Sequence, residues 1–189
     1  MEEHDLIYDW NDIGYSIDRD ESNHPHELWF DDETLRDGLQ SPSARNPTIE
    51  QKIELIDYME KLGIQKVDLG LPGAGPFHID HIDSMLSHMG ENGYNLRPGC
   101  AVRTVVSDIE PLVELQAKHE RQIQASAFLG TSPIRQFAEG WTMGRIMETA
   151  EKAVTFAVDN DIPVMFVTED TTRSCLLYTS DAADDRGCV

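Results

Sequence analysis

Residues 48–72 read TIEQKIELIDYMEKLGIQKVDLGLP, and two structural periods meet within them. Ile49, Ile53, Ile56, Met59 and Leu62 recur at steps of four, three, three and three, drawing one apolar stripe down a helix. Thr48 followed by Gln51 has capping-box spacing, and Gly63 suits the left-handed residue that closes a helix. IQKVDLGLP (64–72) then reads as a strand ended by Pro72 and Gly73. A helix delivered straight into a strand is half of a β-α-β unit.

Working outward, the same alternation continues in both directions. HELWFDD (26–32) fits a buried strand ahead of the helix. A weaker helix covers roughly 79–90, and a strand fits PGCAVRTVV (98–106). Ser107 is placed to cap SDIEPLVELQAKH, where Pro111 is tolerable only near the first turn. RQIQASAFLG (121–130) is a fourth strand. MGRIMETAEKAVTFAVDN (143–160) sets Ile146, Ala150, Ala153 and Ala157 on one helical face. IPVMFVTED (162–170) has the nearly continuous apolar centre of a strand covered on both faces. Four β-α units and a fifth strand imply a parallel sheet with right-handed crossovers. An open doubly wound sheet and a closed (β/α)8 barrel both satisfy that order. The barrel takes about 250 residues and eight units, and this chain of 189 has room for barely five.

The charge is large and uneven. Of the 35 acidic residues, twelve fall in residues 1–33 against Arg19 alone, so this stretch carries over half of the net −20. Such a lead reads as a solvated acidic arm over residues 1–25, and it argues against a nucleic-acid partner, which needs a basic face. No apolar run approaches the length of a membrane span, and no secretory leader is visible. Cys100, Cys175 and Cys188 lack C-x-x-C spacing, which fits a reducing cytoplasm without a disulfide framework. The last fifteen residues, CLLYTSDAADDRGCV (175–189), break the pattern where a helix is due. They resemble translated sequencing-adapter read-through, and are expected to be a tail foreign to the domain at 26–174.

DETLRDGLQ (32–40) resembles the D-x-T-L-R-D-G-x-Q signature on the first strand of the pyruvate carboxyltransferase, or DRE-TIM metallolyase, superfamily. This superfamily holds the isopropylmalate, homocitrate and citramalate synthases and hydroxymethylglutaryl-CoA lyase. VDLGLPGAG, FLGTSPI and FVTEDTTRS are similar to its second-, fourth- and fifth-strand segments, in the same order. One motif alone would be weak, whereas four in order favour the barrel, here with about its first five strands. DETL and EDTTRS favour a synthase, with isopropylmalate synthases the nearest in pattern, although RDGLQ also occurs in the lyase.

The resemblance implies a Claisen-type condensation of acetyl-CoA with a 2-oxo acid in leucine biosynthesis, a divalent metal ion (Mg, Mn or Zn) and a homodimeric parent protein. It also implies roles for particular residues. Arg36 would hold developing enolate or alkoxide charge, for which a permanently charged planar guanidinium is suited. Asp37 would give hard oxygen to the metal. Gln40 would hydrogen-bond the oxo acid, Glu169 would lie in the substrate pocket, and Thr131 with Ser132 would offer hydroxyls to a carboxylate. On spacing alone, an exposed Arg36–Asp37 ion pair worth about 0–1 kcal/mol is the plainer reading. The family's second-strand glutamate is Asp68 here, shorter by one methylene, and the fourth-strand histidine is Ser126. The family's metal-binding H-x-H lies on a later strand. His24/His26 in the acidic arm and His78/His81 on a helix imitate such spacings, and both pairs read as solvent-facing.

Overall fold

The computed structural model describes residues 29–174. Five strands, β1 (Asp31–Asp32), β2 (Lys66–Asp68), β3 (Arg97–Arg103), β4 (Gln124–Gly130) and β5 (Val164–Glu169), pair in parallel in the order β1-β2-β3-β4-β5. Helices α1 (Ile49–Leu62), α2 (Pro76–Glu91), α3 (Val106–His119), α4 (Pro133–Glu139) and α5 (Met143–Asp159) connect them. The sheet curls into half of a (β/α)8 barrel, with the helices on its convex side.

Local rules set α1. Thr48 accepts from the Gln51 N–H while the Gln51 side chain accepts from the Thr48 N–H, and Gly63 ends the helix at φ 74°. Ile56 and Met59 are buried, but Leu62 is 78% exposed, because the stripe leaves the core in the last turn. The position that takes its place on the buried face is Lys52, three residues after Ile49 and four before Ile56.

The core lies between sheet and helices, where Ile56, Ile82, Met85, Leu86, Ile109 and Leu112 meet Val67, Cys100 and Val102. Each such side chain contributes about 1.5–3 kcal/mol by leaving water. Along β4, Ala125, Ala127 and Leu129 are buried while Gln124, Ser126 and Phe128 are partly open. That period of two turns alternate residues of the strand toward the concave face of the half-barrel.

Several expected boundaries shift. Within the first expected strand only Asp31–Asp32 pair, and Trp29 and Phe30 are exposed rather than buried, since β1 has a strand on one side only among the described residues. Residues 26–28, the acidic arm and residues 175–189 lie outside the described residues. Ser107 is not the cap of α3. The helix starts at Val106 after an extended Val105, and Asp108 instead accepts the Arg103 N–H at 3.1 Å. The short helix α4, unforeseen from the sequence, is capped by Ser132 and ended by Gly140 at φ 62°. Finally, β5 is half-buried along its whole length, not enclosed on both faces, because it too is an edge strand among the described residues.

Candidate functional site

Strands β3, β4 and β5 and the segments that follow β1 and β2 line one concave cavity of about 390 Å³. Strand alternation fills its wall. Ser126 and Phe128 of β4 and Met165, Val167 and Glu169 of β5 line it at every second position, with Ala101 of β3 beside them. The segment after β1 adds Glu33, Arg36 and Gln40.

Arg36 is the hub. Its Nη1 donates to Asp37 Oδ1 at 3.1 Å, its Nη2 donates to Glu33 Oε2, and its Nε stands 3.5 Å from Asp68 Oδ2. Burial works to lower the Arg36 pKa, but Glu33, Asp68 and Asp37 outweigh it and hold the value above the ordinary one. Asp68, on the end of β2, is only 3% exposed. Its Oδ1 accepts from the N–H groups of Gly70 at 2.9 Å and Ala101 at 3.3 Å. Burial pushes its pKa up to about 7, against the pull of those N–H donors and Arg36, while Glu33 adds to the rise. Asp68 Oδ2 and Arg36 Nε are buried polar atoms without a hydrogen bond among the described residues, and they face one another across that 3.5 Å gap. A glutamate at position 68 would reach one methylene further.

Of the residues singled out from sequence, Arg36, Gln40 and Glu169 share the cavity, and Asp68 underpins it through Arg36. Asp37 points outward, with its side chain 65% exposed and bonded to Arg36 alone. Thr131 is not brought to the cavity. It is buried, its hydroxyl is paired with that of Ser174 at 2.8 Å, and its carbonyl accepts from Gln136. Ser132 caps α4 and donates to Asp170 at 3.1 Å. Both hydroxyls are therefore used in shaping the strand ends rather than turned to a ligand.

A divalent metal does not fit the described residues as a site. No three His, Cys, Asp or Glu residues among them are arranged to hold a metal ion: Glu33, Asp37 and Asp68 gather, but around the Arg36 guanidinium. His24 and His26 lie outside the described residues. His78 lines a second cavity beside the first, and His81 packs against Phe77, with no third ligand gathered beside them among the described residues.

A family model described as HMGL-like matches residues 27–185. The chain belongs to the HMGL-like family. Within reach of this HMGL-like chain, the 2-isopropylmalate synthase of Streptococcus gallolyticus is 33% identical over 150 residues, which are 79% of this chain and 28% of that protein. The 2-isopropylmalate synthase of Lactococcus lactis is 29% identical over 169 residues, 86% of this chain and 31% of that protein. Homocitrate synthase AksA of Methanopyrus kandleri is 29% identical over 150 residues, 79% of this chain and 36% of that protein. The HMGL-like chain thus spans about three-tenths of the length of the curated relatives it matches.

Sequence reasoning missed Lys52, Asp108 and Gly73. Lys52 was detectable, since it occupies a position of the α1 stripe. Asp108 was not, because its role is to hold Arg103 with bonds of 2.8 Å and 2.7 Å across a turn. Gly73 is required by that carboxylate, which a Cβ there would overlap.

Proposed function

We propose that the barrel to which this chain contributes five strands condenses acetyl-CoA with a 2-oxo acid, in the manner of a 2-isopropylmalate synthase serving leucine synthesis in the cytoplasm. The observation that carries this reading is the single cavity shared by Arg36 and Glu169, in which a fixed cation, held by Glu33, and a second carboxylate line the same largely apolar space. The names of the relatives support the reaction class.

In that reaction a methyl proton leaves the thioester, the resulting carbanion bonds to the ketone carbon, and the ketone oxygen becomes an alkoxide that takes up a proton. Water then cleaves the thioester and frees the CoA thiol. Arg36 suits the role of neutralising the oxo acid's carboxylate and the developing oxyanion, since it keeps its charge at any working pH and is held by carboxylates on three sides. Asp68 acts through Arg36, and Gln40 supplies an amide at the rim. Glu169, which lines the same cavity, is the carboxylate proposed to exchange a proton with the thioester or the alkoxide. Met165, Val167 and Phe128 give the cavity an apolar side for a hydrocarbon tail. Asp37 is the one residue of this chain proposed to ligate a divalent metal, with the other ligands drawn from outside the described residues.

The test is thiol release from acetyl-CoA in the presence of 2-oxoisovalerate and a divalent cation. A protein carrying this segment within a full barrel is expected to release thiol, and silence with every 2-oxo acid tried would refute the reaction. The 189-residue chain by itself is expected to be inactive, as a half-barrel in which β5 is open on one side among the described residues. Turnover by the purified chain would overturn that second statement.

A further inference from the structure

The inner face of α1 carries a charge where the stripe calls for an apolar residue. Lys52 is only 6% exposed, and among the described residues its ammonium has neither an ion-pair nor a hydrogen-bond partner. Burial alone lowers its pKa from the ordinary value, with no neighbouring carboxylate to raise it. The Lys52 side chain is enclosed while its ammonium keeps access to the cavity it lines, where an anion would offset the cost of holding a cation there without a counter-charge.

The surroundings of Lys52 are matched to such a visitor. It lines a cavity of about 310 Å³ between the β1–α1 and β2–α2 connections, with Arg36, Gln40, Asn46, Phe77 and His78 among the other walls. No Asp or Glu lines that cavity, although the chain has 35 acidic residues against 15 basic ones. The first turn of α2 opens onto it through Phe77 and His78. The N-cap of that helix is Gly75, Pro76 brings no N–H, and the His78 N–H donates to the Gly75 carbonyl at 3.0 Å, which leaves the Phe77 N–H as the unpaired donor of the opening turn among the described residues. Two features therefore favour negative charge at one place: the largely buried Lys52, without a counter-charge among the described residues, and the free Phe77 N–H at the start of α2.

We propose that this cavity binds a compact oxyanion, a phosphate or carboxylate group, held by the Lys52 ammonium and by donors from His78 and the opening turn of α2. The site adjoins the central cavity, because Arg36, Gln40 and Leu71 line both. It does not rest on the reaction proposed above, since anion binding is measurable without any condensation. Charge-assisted bonds of this kind carry enough energy for loss of the ammonium to be read directly in affinity.

The test is calorimetric titration of the 189-residue chain with inorganic phosphate, CoA, dephospho-CoA and 2-oxoisovalerate, each at constant ionic strength in chloride buffer. Saturable binding of at least one of them is expected, weakened about tenfold or more by Lys52→Met. The arm that binds identifies the source: CoA without dephospho-CoA points to the 3′-phosphate, inorganic phosphate to a free ion, and the oxo acid to a carboxylate. Lys52→Met should fold at least as well as the parent, since it removes an unpaired buried charge. Should it fail to fold, His78→Gln is the second variant, with binding expected to weaken in the same titration. Absence of saturable binding in all four arms would overturn the proposal, as would undiminished affinity in the folded variants.

Discussion

Strands β3 and β5 are built from similar apolar letters, RPGCAVR and VMFVTE, yet five of the seven β3 residues are buried and none of the six in β5 is. The difference lies in their neighbours. β3 pairs with β2 and β4, while β5 pairs only with β4 among the described residues. Burial thus belongs to the assembly and not to the strand. The same contrast divides the candidate site. On the β2–β3 side, Asp68 and Arg36 are locked by backbone donors and carboxylates. On the β5 side, Glu169 stands half-buried in the cavity wall, and its side chain makes no hydrogen bond among the described residues. Precision is built into one half of the mouth and accessibility into the other.

The contrast can be broken first by stability. Ile56→Ala or Leu112→Ala, both at fully buried sites against the β2–β3 side, should cost about 2–5 kcal/mol. Val167→Ala in β5 should cost under about 1 kcal/mol in the same denaturant titration. Equal losses would mean that β5 is as enclosed as β3. Next in size, Gly73→Ala drives a methyl group against the Asp108 carboxylate, which is buried and held by Arg103. A loss of about 1–3 kcal/mol should appear as a lowered unfolding midpoint.

A pH titration sharpens the contrast from the other side. Burial raises the Asp68 pKa to about 7 from an ordinary 3.8, so its neutral form is the one the fold favours. The stability this contributes is whole below about pH 4 and is lost as the pH climbs through about 7, at a slope of up to about 1.4 kcal/mol per pH unit. Asp68→Asn should remove that part of the slope, so that the variant gains on the parent between pH 4 and 7. A parallel pair of stability curves would contradict the burial of this carboxylate. The smallest effect belongs to Thr48→Ala, about 1 kcal/mol for the lost cap of α1, and it should leave the mouth unchanged.

The helices and the parallel order were legible because they rest on local rules. A capping box, a closing glycine and an alanine face on α5 announce themselves in a single chain. Strand extents were less so, since pairing partners decide where a strand stops. This is why Trp29 and Phe30 are exposed despite their strand-forming character. In the site, the Arg36–Glu169 convergence was legible through motif order, as the resemblance to the superfamily brought distant strand ends together. For Thr131 the sequence left a ligand role and turn chemistry ahead of Pro133 equally open, because a hydroxyl at a strand end can also tie the chain to itself, here through Ser174. The Gly73–Asp108–Arg103 contact depends on three-dimensional proximity that no spacing in the sequence encodes.

The most direct measurement is methyl NMR of the chain during titration with 2-oxoisovalerate. The account predicts saturable shifts at Met165, Val167 and Leu71, the apolar walls of the cavity that holds Arg36 and Glu169, and their loss in Arg36→Gln. Shifts confined to other methyls, or unchanged in Arg36→Gln, would contradict it.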